Sequence, residues 1–182
     1  YGQVSGTGTL FAKASGDGAG IGGGKDCDGG AVTINGGIVE ATGGMGAAGI
    51  GCGYPSATNC AVTINGGTVT ATGGMSAAGI GGGYNLPWNG TVTITGGRVT
   101  AKGDGNASAI GPGEGGSGEG GTIAISGGLF WDKPDVAWIA TDCVAVLNRD
   151  EATKEKYPWK VGIPTCTVTI GEHPNLTVAW TS

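Results

Sequence analysis

A thirty-residue sentence written three times constrains this chain more than any other feature. Ala31 to Cys60 reads AVTINGGIVEATGGMGAAGIGCGYPSATNC, Ala61 to Gly90 reads AVTINGGTVTATGGMSAAGIGGGYNLPWNG, and Thr91 to Gly120 reads TVTITGGRVTAKGDGNASAIGPGEGGSGEG. Self-similarity at a fixed period of this length is the signature of a solenoid, in which a repeat buries its apolar face only by stacking on its neighbours. A degenerate copy precedes the three. Gly8 to Ala14 (GTLFAKA) stands where Gly37 to Gly43 (GIVEATG) stands, and Gly18 to Gly24 matches Ala47 to Gly53 with a slip of one residue.

Each copy divides into three extended pieces. The first is Ala31–Ile34, echoed by Val62–Ile64 and Val92–Ile94; the second is Ile38–Ala41, echoed by Thr68–Ala71 and Arg98–Ala101; the third is Ala47–Ile50, echoed by Ala77–Ile80 and Ala107–Ile110. Period-two alternation runs through the first two, which is the strand signature. Val32, Ile34, Val39 and Ala41 then face one way, and Thr33, Ile38, Glu40 and Thr42 the other. The pairs Gly36-Gly37, Gly66-Gly67, Gly96-Gly97 and Gly127-Gly128 mark sharp corners, because glycine reaches positive φ without steric cost. The expected architecture is all-β: a right-handed parallel β-helix of about four thirty-residue coils, its hand taken from the general crossover preference. Ile34, Ile64 and Ile94 form one interior ladder, Val39, Val69 and Val99 a second, and Ile50, Ile80 and Ile110 a third. Small residues such as Ala48 and Ala78 predict a narrow coil. Asn35 and Asn65, followed by Thr95 and Ser126, stack at the first corner, where they can satisfy backbone groups the bend removes from the ladder.

The pattern decays after Gly121. Residues 122–128 repeat the first strand and corner once more, and Leu129-Phe130-Trp131 replaces the small second strand. The organisation expected is 1–128 as repeats, 129–162 as a cap, and 163–182 as a terminal hairpin or the start of a following domain. Within the cap, Pro134 to Ala140 predicts a short helix capped by Asp132, Cys143–Leu147 and Tyr157–Val161 predict strands, and 151–156 a turn or short helix. Phe130, Trp131 and Trp138 are the bulky residues available to cover the open end. Cys166–Ile170 and Leu176–Trp180 alternate like a hairpin around Gly171–Asn175.

Charge narrows the function classes. Charged residues are 13% of the chain and the net charge is −5, so the basic stripe that a nucleic-acid partner requires is missing. No apolar run approaches membrane-spanning length. The pattern is already under way at Tyr1, which points to a fragment of a longer secreted protein. Five cysteines without a C-x-x-C pair, and His173 as the lone histidine, argue against a metal centre and give no cofactor site; they fit an extracellular setting. Cys27 and Cys60 precede equivalent strands of adjacent coils, which predicts a cross-coil disulfide. Cys143 pairs with Cys166 in the terminal region, and Cys52 is left over.

Candidate sites are few. The acids Asp17, Asp26, Asp28, Glu40, Asp104, Glu114 and Glu119 form no ladder and no catalytic constellation, so solvated coil edges are their expected role and catalysis is not expected. Asp104-Gly105-Asn106 and the Glu114–Glu119 loop lack calcium-loop spacing. The Gly20–Gly24 and Gly79–Gly83 runs lack the Gly-Lys-Ser/Thr of a phosphate loop. Threonine ladders along the outer strands are interrupted by Ile38, Glu40, Arg98 and Lys102, which breaks any regular ice-matching lattice. Tyr54, Tyr84 and Trp88 follow the third strand on the variable edge, where aromatic rings can stack on sugars or anchor a partner; they are the ligand-binding candidates.

The motif VTINGGxVxAxGGxxAAGIGGG, carried by Val32–Gly53 and Val62–Gly83, resembles the Gly-rich β-helix repeats of large adhesin-like surface proteins of gut and anaerobic bacteria. The closing ISGGLF at Ile125–Phe130, with Val144–Asn148 after it, is similar to the segment that ends such arrays. The resemblance implies a non-enzymatic, secreted or cell-surface scaffold, one part of a larger surface protein, that displays loops to a carbohydrate or host ligand. The rival is a polysaccharide-acting enzyme module, a lyase or glycoside hydrolase.

Overall fold

The computed structural model describes residues 2–4, 6–27, 29–55, 58–118, 120–130, 144–147, 151–162, 165–170 and 176–181. Alternation between small β-branched residues and glycine corners produces three strands per coil. The first coil holds β1 (Gly2–Val4), β2 (Thr9–Lys13) and β3 (Ile21–Gly22); the second β4 (Gly30–Ile34), β5 (Ile38–Thr42) and β6 (Ile50–Gly51). The third coil holds β7 (Cys60–Ile64), β8 (Thr68–Thr72) and β9 (Ile80–Gly81); the fourth β10 (Thr91–Ile94), β11 (Arg98–Lys102) and β12 (Ile110–Gly111). β13 (Thr122–Ile125) and β14 (Gly128–Phe130) begin one more turn. The strands stack into three parallel sheets, β1-β4-β7-β10-β13, β2-β5-β8-β11-β14 and β3-β6-β9-β12, so the molecule is a parallel β-solenoid of about four turns. No described residue is helical.

The register is the one the repeat dictates. Val32 pairs with Val62, then Val92, then Ile123, and Ile34 with Ile64, Ile94 and Ile125. In the second sheet Leu10 pairs with Val39, Val69 and Val99 in turn. Ile21 aligns with Ile50 at an offset one residue shorter than the next, Ile50 with Ile80, which accounts for the slip seen in the first copy. Ile34, Ile64, Ile94, Val39, Val69, Ile50 and Ile80 are all 0% exposed. Burying one such side chain stabilises by roughly 1.5–3 kcal/mol relative to leaving it in water.

Glycine sets the width of the third wall. Gly51 and Gly81 sit at φ +136 and +132, and a Cβ on either would collide with the carbonyl oxygen of the glycine one coil above. With no side chain in the way, the third strands shrink to two residues each, and Ala47, Ala48, Ala77 and Ala78 are completely enclosed behind them. At the first corner, Asn65 Nδ2 donates to Asn35 Oδ1 at 2.8 Å and Thr95 Oγ1 donates to Asn65 Oδ1 at 2.8 Å. The side-chain ladder expected from the sequence is therefore present across three coils.

The second sheet closes by reversing direction. β16 (Trp159–Gly162) runs antiparallel to β14, with Phe130 opposite Trp159, and β15 (Val144–Leu147) runs antiparallel to β16. Phe130, Tyr157 and Val161 are buried at 3%, 3% and 2% exposure, and Phe130 and Val161 join the interior cluster of the coils. The helix expected over 134–140, together with Trp131 and Trp138, lies outside the described residues. β17 (Thr165–Ile170) and β18 (Leu176–Thr181) form the antiparallel hairpin expected at the end of the chain.

Ile64→Ala should lower unfolding stability by about 2–5 kcal/mol through loss of apolar contact and a residual cavity. Thr70→Ala, on the outward face of the same coil, should change it by no more than about 0.5 kcal/mol. Urea denaturation monitored by far-UV circular dichroism measures both.

Candidate functional site on the third corner

The coils differ most after the third strand, and what fills the interior there is different in each. Where the second coil leads into the third, Cys52 is joined by a disulfide to Cys60, the first residue of β7, with Cα atoms 5.6 Å apart. The cross-coil bond expected between Cys27 and Cys60 does not form. The residue in register with Cys60 is Gly30 rather than Cys27. Cys52 and Cys60 both face inward, at 0% and 4% exposure, whereas Cys27 is a free, exposed thiol. The expected Cys143–Cys166 pair falls on side chains outside the described residues.

In the third coil the equivalents of Cys52 and Cys60 are Gly82 and Gly90, and Trp88 occupies the space they leave. A Cβ on Gly82 would lie 3.1 Å from the Trp88 Cβ. Trp88 is 2% exposed and belongs to the core cluster, so it is no part of an exposed edge. Its placement overturns the reading that grouped it with the two tyrosines. The indole plugs the corner that the disulfide plugs one coil below. Its Nε1 is buried without a hydrogen-bond partner, a cost set against the large apolar area of the ring.

Outside this plug, two positions eight residues apart face each other in successive coils. In the first coil they are Asp17 and Lys25, a salt bridge of 3.0 Å. In the second they are Gly46 and Tyr54, where a Cβ on Gly46 would lie 2.9 Å from the tyrosine ring. In the third the same spacing separates Ser76 and Tyr84, and Ser76 is engaged by Asp104 and Glu114 of the next coil. In the fourth they are Asn106 and Glu114, with Asn106 Nδ2 donating to Glu114 Oε1 at 3.0 Å. Backbone bonds knit the positions into a column. Tyr54 N donates to Asp17 O, Tyr84 N to Gly46 O and Glu114 N to Ser76 O, at 2.8, 2.8 and 2.9 Å. The acids form no ladder in the sequence because the partners at this eight-residue spacing change chemical type from coil to coil.

The middle of the column is apolar and its ends are charged. The rings of Tyr54 and Tyr84 approach with centroids 6.2 Å apart and planes inclined by 40°. Tyr84 is 40% exposed, and Met45 and Met75, one residue before Gly46 and Ser76, are each 60% exposed. Those methionines escaped the sequence reading, although GGM occurs twice at the repeat period. Below the tyrosines, the salt bridge to Asp17 raises the pKa of Lys25 above its ordinary value. Above them, a hydrogen bond from Ser76 and then bonds from the Asn106 side chain and amide hold the Glu114 carboxyl below 4.5. Asp104 Oδ2 accepts from Ser76 N at 3.0 Å. Among the described residues no cluster of three or more His, Cys, Asp or Glu could hold a metal ion.

Two open clefts lie elsewhere. One, of about 510 Å³, runs over the first corner between Gly37, Gly67 and Gly97 and the side chains of Ile38, Arg98 and Leu129. The other, of about 350 Å³, lies beside Asn59, Cys60, Asn89 and Thr91. Neither includes the tyrosines.

A family model described as a beta helix repeat matches residues 32–54, 62–84 and 92–114. Each match opens on an inward valine and closes on the column residue Tyr54, Tyr84 or Glu114, so the stacking unit and the column share one period. No curated protein and no solved structure matches the chain.

Two outcomes check this site. Trp88→Ala should destabilise the fold by about 3–5 kcal/mol, read as a lower urea midpoint, because it empties an interior corner. The pKa of Glu114 is lowered in the fold, so its bonds to Ser76 and Asn106 are intact above 4.5 and are lost as pH falls through the lowered folded value. Hydrogen-exchange protection of the Asn106 amide should fall over that acid range and lose this step in Glu114→Gln.

Proposed function

We propose that this chain is a non-enzymatic display module of a secreted or cell-surface protein, which presents a carbohydrate ligand-binding edge at Tyr54 and Tyr84. The observation that carries the reading is the contact of those two rings, 6.2 Å apart, on adjacent coils of a hydrogen-bonded ladder. Aromatic faces stack on the apolar faces of sugar rings, and rings already fixed by the backbone lose little freedom on binding. Met45 and Met75 widen the apolar strip with side chains that adapt to irregular surfaces. Ser76, Asn85 and Asn106 lie within the same edge and supply the donors and acceptors that a hydroxyl-rich ligand needs.

The acids near this edge are engaged in structure. Asp17 is held by Lys25, Asp104 by the Ser76 amide and Glu114 by Asn106, an arrangement that supports binding over hydrolysis or elimination. In this reading the parent surface protein gains a rigid spacer, and the ligand is met by a preformed strip.

A glycan array probed with the intact chain tests the reading. Tyr84→Ala and Tyr54→Ala should each weaken binding by roughly tenfold, about 1.4 kcal/mol, with the far-UV spectrum unchanged. Binding indifferent to both substitutions removes the tyrosine edge as the site. Release of reducing ends or unsaturated products, abolished by Asp104→Asn or Glu114→Gln, would replace the display module with an enzyme.

A further inference from the structure

The outer face of the second sheet lies apart from the tyrosine edge, and its charge runs against that of the chain, which carries −5. Val39, Val69 and Val99 turn inward, so the outward rows run Ile38–Thr68–Arg98, Glu40–Thr70–Thr100 and Thr42–Thr72–Lys102 across the coils. Glu40 is the one acid in these rows. It stands diagonally opposite Lys13 on the adjacent strand, and the two offset each other. In the fourth coil Arg98 and Lys102 share β11, both exposed, with no acid between them. Among the described residues neither has an ion pair or a side-chain hydrogen bond. Asp17 and Asp104, on the third corner that follows these strands, are bound to Lys25 and to the Ser76 amide.

Arg98 also lines the cleft of about 510 Å³ over the first corner, where it is the one charged lining residue. The cleft follows the solenoid axis, because Ile38, Thr68, Arg98 and Leu129 enter it from successive coils. Its floor is bare of side chains by necessity. A Cβ on Gly66 or Gly67 would lie 2.8 Å from a carbonyl oxygen of the coil below. Gly67 and Gly97 accept through their carbonyls from Arg98 N and Leu129 N, and among the described residues their own N–H groups donate to none. Such donors call for a partner from outside the fold. An axial trough admits a polymer lengthwise, and the planar fork of an arginine binds a carboxylate or sulfate through two parallel bonds. Lys102, roughly 13 Å along the same strand at about 3.3 Å per residue, adds to the positive potential over the face. The Thr68 hydroxyl can both donate to and accept from a sugar hydroxyl. The small number of cations selects the class of polymer. Duplex DNA brings one charge per roughly 1.7 Å of axis and needs a denser array. An anionic membrane returns about 1 kcal/mol per basic residue, too little here to hold the chain.

We infer that the first-corner cleft is a second, separate glycan site, which takes an acidic polysaccharide lying along the solenoid axis with a carboxylate or sulfate on Arg98. Passage of the intact chain through immobilised polygalacturonate and immobilised dextran sulfate, with neutral dextran as the blank, tests this. A chain that is acidic overall can be held by a polyanion only through a local patch. It should be retarded at low salt by one or both acidic polymers, the retarding polymer naming the anionic group, and should run free on dextran. Arg98→Gln should lower the apparent affinity roughly tenfold, and Lys102→Gln by less. Lys154→Gln, which removes the same charge from an exposed pair in the cap, should leave retardation unchanged. Free passage through both acidic columns, or equal losses in Arg98→Gln and Lys154→Gln, overturns the inference. Co-sedimentation with phosphatidylglycerol vesicles in place of retardation assigns the cleft to a lipid surface and overturns it as well. The tyrosine edge stands or falls separately, on the glycan array.

Discussion

Everything in this molecule depends on the parallel rung, the set of backbone hydrogen bonds that joins one coil to the next in strict register. Each coil on its own is a loose triangle of short strands with nothing to hold its N–H and C=O groups. Stacked, it finds partners above and below, and inward valines and isoleucines line up as ladders at the strand spacing of roughly 4.8 Å. The rung also explains the glycines. On the third wall Gly51 and Gly81 adopt φ values of +136 and +132, and the neighbouring carbonyl occupies the space a side chain would need. Apolar ladders supply the free energy, and glycine supplies the closeness that lets the ladders form.

The repeated part of the chain was legible because identical neighbours reinforce one another. Val32, Val62 and Val92 occupy one row, and so do Asn35, Asn65 and Thr95; the period names the row before any coordinates do. What could not be read was whatever depends on the direction of one side chain in a segment that does not repeat. Trp88 lies in the variable stretch after the third strand, and exposure was the natural expectation for it. It turned inward because Gly82 and Gly90 leave a void that its indole fills. Cys60 followed a similar logic. Its register partner is a glycine, and its bond goes instead to Cys52, eight residues back along the chain.

The candidate site was half legible for the same reason. Tyr54 and Tyr84 recur at the period and are legible, with Trp88, as aromatics of the variable edge; the contact between the two rings comes from the fold. Their surroundings do not recur in kind. Asp17 with Lys25, Gly46 with Tyr54 and Asn106 with Glu114 occupy equivalent places, but the first pair is ionic, the second is ring on backbone, and the third is an amide on a carboxylate. A search for repeated residue types passes over a repeated geometry. The core conserves chemistry from coil to coil, and the edge keeps only the spacing, which lets surface character vary without disturbing the stack.

The disulfide leads to a last point, about tension. Cys52 and Cys60 are eight residues apart, and the bond closes only the short connection from the last strand of the second coil to the first strand of the third. A coil that occupies about 4.8 Å of axial length contains thirty residues, enough to extend to about 100 Å when drawn out. The cross-link withholds only about 25 Å, at the connection between the second and third coils. Pulled from its ends, such a stack would lose one coil at a time from an exposed end, each loss paying out a long length of slack before the next row of hydrogen bonds takes the strain. A scaffold that is stiff under compression is thereby extensible under pull, with the third corner of the second coil pinned shut while the rest unwinds.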